Sequence, residues 1–276
     1  MTLNRWLAGA TRQCAAAVTA ALEAYRFDEA AHRLYHFIWG TFCDWYLEFT
    51  KPILAGNDEE AKAETRAAFG WGLAQIVHLL HPIAPYITEE VWRQQAGDDA
   101  GMLMTAAWPD LPPDLHDPAA MTEMDWVVTA ISALRAIRSE VNVPAGARVP
   151  LLVKDAEPEM AARLERHREH FERLARIESI AATAVVPAGG IPAVVEGATL
   201  ILRLGDVVDL AVEKARLRKE IGRIEADLSK MAAKLGNPNF VAKAKPDIVE
   251  EQREREAEAR RDRDRLKVVY DLLEAV

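Results

Sequence analysis

His32 and His36 stand four residues apart, the spacing that sets two imidazoles on one helix face where they could ligate a metal. No HExxH accompanies them and no third ligand is evident. The expectation is a pair of helix-face histidines in an aromatic-rich bundle, and no metal site. Glu89 and Glu90 have the types of an acid/base pair, but two carboxylates in a helix's first turn are explained by the positive end of its dipole. There is no P-loop and no GxSxG, and Gly70-Trp71-Gly72 lacks the third glycine and the preceding strand of a dinucleotide fingerprint. Cys14 and Cys43 lack CxxC spacing and read as buried apolar side chains. The residue types thus predict no catalytic residue, no bound metal and no cofactor among these 276 residues.

Two segments have the chemistry of binding instead. Arg33 to Lys51 (RLYHFIWGTFCDWYLEFTK) holds more rings than one core stripe requires, and rings left outside could stack on unpaired bases. Glu213 to Leu235 holds Lys214, Arg216, Arg218, Lys219, Arg223, Lys230 and Lys234 against Glu213, Glu220, Glu225 and Asp227. Arg216, Arg223 and Lys230 repeat every seven residues, which draws one line along a helix, as a phosphate-tracking surface would. The competing reading is a solvated coiled-coil face with ordinary salt bridges.

That second segment is basic in a chain whose formal charge is -9, which argues against coating nucleic acid through bulk positive charge. Residues 1–150 hold 11 Lys and Arg against 19 Asp and Glu, and residues 151–276 hold 23 against 24, so the negative charge sits in the first half. The apolar stretch Ile180 to Val195 is shorter than the ~20 residues of a membrane helix and is cut by two prolines and two glycines. The first residues show no basic region leading into an apolar core and cleavage site. A cytoplasmic, monomeric protein with no membrane or DNA partner is expected.

The elements that must position these segments follow from periodicity. From Leu7 to Leu103, apolar residues recur at three- and four-residue spacing, as in long amphipathic helices. Leu34, Phe37, Ile38, Thr41, Phe42, Trp45, Tyr46 and Phe49 form a wide apolar stripe, with Asp28 as a candidate N-cap. A helix is predicted over Asp58–His81, another from Thr88 after the prolines at 82 and 85, and a fifth over Met124–Val141. Val149–Val153 then reads as a strand, Pro158–Ile177 as a helix, and Ile180–Val186, Ile191–Val195 and Thr199–Leu204 as strands. From Leu210 the period becomes 3.5 through Leu217, Ile221, Ile224, Leu228, Met231 and Leu235. After the break at Gly236-Asn237-Pro238-Asn239, Val249, Ala259, Leu266, Tyr270 and Leu273 line a second helix, whose middle is weakened by Gln252, Glu256 and Arg263. A short loop between helices of similar length favours an intramolecular antiparallel hairpin. The fold class is mainly α: an antiparallel helical bundle (1–142), a small α+β module (143–209) and an antiparallel coiled-coil hairpin (210–276).

Several runs resemble a known family. Tyr25-Arg26-Phe27-Asp28-Glu29-Ala30, Cys43-Asp44-Trp45-Tyr46-Leu47-Glu48 with Lys51, and the run from Leu80 to Trp92 (LHPIAPYITEEVW) resemble the anticodon-binding domain of the class I aminoacyl-tRNA synthetases for valine, isoleucine and leucine. The CDWYLE segment is most similar to the valine enzymes, as are Leu134 to Pro144 and Val208-Asp209-Leu210 leading into Glu213-Lys214-Ala215-Arg216-Leu217. The last hairpin, with Lys234-Leu235-Gly236-Asn237 and Phe240 to Ala244, resembles the C-terminal coiled-coil arm of the valyl-tRNA synthetase family. It departs in placing its proline one residue later, at Ala244-Lys245-Pro246. No HxGH, no KMSKS and no cysteine-rich zinc motif are present.

The resemblance therefore implies the tRNA-binding C-terminal portion of a valine–tRNA ligase, inactive without an editing domain and a catalytic domain, the latter using ATP and magnesium. It implies tRNA(Val) as partner, with the bundle on the anticodon stem-loop and the hairpin on the outer corner of the tRNA. Charge and position then select Arg33, Phe42, Trp45, Glu48 and Lys51 for the anticodon, and Arg216, Lys219, Arg223, Lys230, Lys234, Lys243 and Lys245 for the corner. The alternative is a non-catalytic module whose hairpin seam docks on a protein.

Overall fold

The computed structural model describes residues 1–205, 207–237 and 246–274. It divides into two compact units, Met1–Val128 and Thr129–Val276.

In the first unit, α1 (Thr2–Glu23) packs on α2 (Phe27–Tyr35) and α4 (Glu59–Leu80). Between α2 and α3 (Leu47–Ala55) the chain stays helical but loosens into a π-helix over His36–Tyr46. The broad apolar stripe is divided by this loosening. Leu34, Phe37, Phe42, Tyr46 and Phe49 are buried, while Ile38, Thr41 and Trp45 are half-buried. The wider π turn brings residues five apart to one side, so Phe37 and Phe42 both reach the core. The Phe42 ring stacks on Tyr46 and Phe69 at centroid distances of 5.7 and 5.4 Å. Tyr46 donates its hydroxyl proton to Asn4 Oδ1 at 3.0 Å, and Asn4 Nδ2 donates to Glu64 Oε1 at 2.9 Å. A buried phenol is thereby satisfied through to the surface.

Helix starts follow the sequence with three shifts. Asp58 caps α4 as its carboxylate accepts from the Ala61 N–H at 3.0 Å. Asp28 does not cap α2, which opens at Phe27 after Arg26, so Asp28 acts in the first turn through the dipole. α5 (Pro85–Ala96) opens on Pro85 instead of near Thr88, because a proline at the first helical position loses only an N–H that has no partner there. α6 (Pro118–Glu140) begins six residues before Met124, where Asp117 Oδ1 accepts from the Ala120 N–H.

In the second unit, β1 (Val149–Lys154) is followed by α7 (Pro158–Arg166) and α8 (Arg168–Leu174), a break at His167 dividing the single helix read from the sequence. β2 (Ile177–Ala182), β3 (Gly190–Val195) and β4 (Ala198–Arg203) complete one sheet of order β2-β1-β4-β3. β1 and β2 are parallel, as a crossover through α7 and α8 requires, and the other pairs are antiparallel. β3 turns into β4 through Glu196-Gly197, and Gly197 has a φ of +70°. A Cβ at Gly197 would stand 2.8 Å from Met160 Cγ, so the turn admits glycine on two counts.

α9 (Leu210–Leu235) and α10 (Pro246–Glu274) pack on each other. Asp209 caps α9, its carboxylate accepting from the Ala211 and Val212 N–H groups. Leu217, Ile221 and Leu228 on α9 and Val249, Val269 and Leu273 on α10 are buried, whereas Gln252, Glu256 and Arg263 are half-buried. This is the antiparallel hairpin predicted from the heptads. The chain is mainly α, and no helix among the described residues is long and apolar enough to cross a membrane.

Candidate nucleic-acid interface

The first unit shows which of the rings in residues 33–51 are available. Phe42 is 4% exposed and belongs to the core, so its ring cannot reach a base. Trp45 is half-buried, its ring tilted on Phe49 at 5.6 Å. Arg33 is exposed and pairs with Glu29 at 3.2 Å, while Lys51 and Glu48 pair with each other on the surface.

The exposed rings lie elsewhere. Tyr35 and Trp39 are 60% and 55% exposed. His32, Tyr35, His36 and Trp39 recur at three- and four-residue steps and form an outward stripe opposite Leu34 and Phe37. His32 meets His36 edge-on at 4.2 Å, and Tyr35 meets His36 at 5.7 Å. No metal-binding cluster of three or more ligands occurs among the described residues. At the α1–α2 corner, Tyr25 and Phe27 are exposed and pack edge to face at 6.3 Å. Arg26 and Arg33 both bond Glu29, at 2.6 and 3.2 Å, between the corner and the stripe.

Local structure holds these rings out at a cost. Tyr25 has a φ of +58°, in the left-handed region that glycine occupies most easily. The Arg26 N–H donates to Ala21 O at 2.8 Å and the Tyr25 N–H to Leu22 O at 3.0 Å. These close the end of α1 as a Schellman turn with tyrosine in the glycine position. The density of rings in the sequence signalled this face, but only the π-helix and the corner decide which rings are on it.

The first unit's remaining candidates have structural uses. Glu89 accepts from the Leu103 and Met104 N–H groups at 2.8 and 3.2 Å and fixes a turn. The Cys14 thiol is pushed up to about 12 by burial, which leaves no thiolate nucleophile at neutral pH.

On the hairpin, the seven-residue line Arg216, Arg223 and Lys230 is shadowed by acids three residues before each. Arg223 pairs with Glu220 at 2.6 Å and Lys230 with Asp227 at 2.9 Å. Arg216 is built into the base of the hairpin. Its Nε donates to Glu213 Oε1 at 2.7 Å and its Nη2 to the Glu140 carbonyl oxygen at 2.9 Å, at the end of α6. Arg265 Nε of α10 lies 3.3 Å from Glu140 Oε1, so α6, α9 and α10 meet at this point. Lys219 and Lys234 are exposed, and Lys243 and Lys245 lie outside the described residues.

Residues 4–153 match the family described as the anticodon-binding domain of tRNA ligase, and residues 209–273 match the valyl tRNA synthetase tRNA binding arm. A valine–tRNA ligase of Caulobacter vibrioides is 46% identical over 277 residues, covering 99% of this chain and 31% of that protein. Those of Agrobacterium fabrum and Zymomonas mobilis are 44% and 42% identical, covering 92% and 99% of this chain and 27% and 31% of their own. The chain thus spans about a third of the length of the curated relatives it matches.

Proposed function

The chain belongs to the anticodon-binding domain family of tRNA ligases, and from that premise we propose that it is the tRNA-recognising portion of a valine–tRNA ligase, with tRNA(Val) as its partner. Residues 1–142 take the anticodon stem-loop, residues 210–276 take the outer corner of the tRNA, and 143–209 join them. The ligation itself, with valine, ATP and magnesium, belongs to a catalytic portion of the longer protein.

The observation that carries the reading is the outward stripe of Tyr35, His36 and Trp39, with Tyr25 and Phe27 at the adjoining corner, inside the region that matches the anticodon-binding family. Loop bases are unstacked and offer π faces, which exposed aromatics cover, and each base stacked on a ring is worth about 1–3 kcal/mol. Arg33 beside the stripe adds a cation that can stack or pair with phosphate. In this reading Arg33, Trp45, Glu48 and Lys51 flank the stacking rings, and Phe42 supports them from the core. The alternative use of the hairpin, as an apolar seam for a protein partner, is disfavoured because α9 and α10 already cover each other's seam residues.

Titrating the protein with valine tRNA and a non-cognate tRNA at low and moderate salt tests the proposal. Preference for the valine tRNA at both salts, lost on changing its anticodon, is expected. Equal binding of both RNAs would contradict anticodon recognition by this chain.

A further inference from the structure

Six cations of α9 fall into two sets. Arg216, Arg223 and Lys230 each have a carboxylate partner one turn earlier on their own helix. Lys214, Arg218 and Lys219 make no ion pair among the described residues. They lie instead along a groove of about 440 Å³ between α9 and α10, which Ala215, Tyr270 and Glu274 complete. Lys214 and Arg218 are four residues apart, so two like charges face each other on one side of the helix and repel. The positions one turn from Arg218 are Lys214, Ala215, Ile221 and Gly222, and none of them carries an acid. Gly222 has open space where a Cβ would stand, on the face that carries Arg218 and Lys219, so a chain can approach the helix backbone closely there.

A merely solvated face would interleave acids with these bases, as the other line of α9 does. A concave site with three unpaired cations and an aromatic wall has the chemistry of a nucleotide in an RNA strand: phosphate on the cations, sugar or base against the ring. We infer that this groove at the base of the hairpin, formed by Lys214, Arg218, Lys219 and Tyr270, binds the phosphodiester backbone of the tRNA. The inference rests on the tRNA-binding reading above and changes which face of the arm is in contact. The seven-residue line of ion pairs holds the helix, and the groove holds the RNA. Glu274, whose carboxylate accepts from the Tyr270 hydroxyl at 3.0 Å, is the one acid lining the groove among the described residues and opposes the anion.

The test is a salt series of valine tRNA titrations on the whole chain, with thermal unfolding as the check on folding. Lys214→Ala/Arg218→Ala lowers affinity roughly tenfold and reduces the slope of log affinity against log salt by about 2, the share of two phosphate contacts. Arg223→Ala/Lys230→Ala changes affinity by less than about twofold, since both side chains are held by acids. Glu274→Gln raises affinity. Unchanged affinity and slope in Lys214→Ala/Arg218→Ala, with wild-type binding intact, would overturn the groove and leave the tRNA reading standing. Absence of binding by the wild type at low salt would overturn both.

Discussion

Tyr25 shows how a single residue can set stability against recognition. A non-glycine side chain in the left-handed region costs on the order of 1 kcal/mol, and such strain persists where something other than stability keeps it. Tyr25→Gly should raise the unfolding free energy by about 0.5–1 kcal/mol in a urea titration while weakening tRNA binding, because the turn relaxes and a ring is lost. Phe42 is the reverse case. Phe42→Ala removes a ring packed between Tyr46 and Phe69 and should cost about 3–5 kcal/mol of stability. Phe42→Leu, which keeps the core apolar, should bind tRNA as the wild type does.

Arg216 belongs with the structural residues. Its partner Glu213 is buried, so Arg216→Ala leaves a carboxylate out of water without its cation and should destabilise the protein by about 2–3 kcal/mol. Arg223→Ala, on an exposed pair, should change stability by less than about 1 kcal/mol. The sequence placed both arginines on one line with equal claims, because nothing in a seven-residue repeat tells a buried acid from an exposed one.

At the scale of elements, most of the helices, the strands β1, β3 and β4 and the heptad seam were legible as periodicities. The strand expected at Ile180–Val186 instead lies at Ile177–Ala182, because the helix before it stops at Leu174 and does not run to Ile177. The π-helix was not legible. Its apolar residues at 34, 37, 38, 41, 42, 45, 46 and 49 also fit an α-helix with a wide stripe, and only packing against α1 and α4 selects which of them go inside. The aromatic stripe was legible as an excess of rings and illegible as particular residues, for the same reason.

The second unit also predicts its own response to acid. His170 stacks on His167 at 5.6 Å, and burial, with the neighbouring His167 and Arg173, lowers it from 6.5 to about 4. A depressed histidine stays neutral in the fold while the unfolded chain takes up a proton, so its stability is complete above about pH 6.5 and is lost as pH falls toward 4. The loss is about 3 kcal/mol at its end. His170→Leu should flatten that part of the stability–pH curve in urea titrations at pH 7 and 4.5. In the hairpin, Gln252 is a half-buried polar residue on the α10 seam, and Gln252→Leu should raise thermal stability by about 1 kcal/mol without altering tRNA affinity.

On the whole molecule, the proposed function brings a net charge of -9 close to a polyanion. The excess negative charge lies in the first half, where the candidate contact is made by rings. The second half is close to neutral and gathers Lys214, Arg218 and Lys219 in one groove. Base stacking falls off little with salt, and phosphate pairing falls off steeply. The two contacts should therefore separate as salt rises, the anticodon preference outlasting the arm's contribution.

The most direct measurement of the central claim is binding of an isolated valine anticodon stem-loop, which lacks the outer corner, to the wild type and to Tyr35→Ala/Trp39→Ala at fixed salt. The account predicts that the wild type binds it, that a changed anticodon weakens binding, and that the double variant, folded to the same stability, loses about tenfold or more in affinity. Equal binding by the wild type and the double variant, or indifference of the wild type to the anticodon, would contradict it.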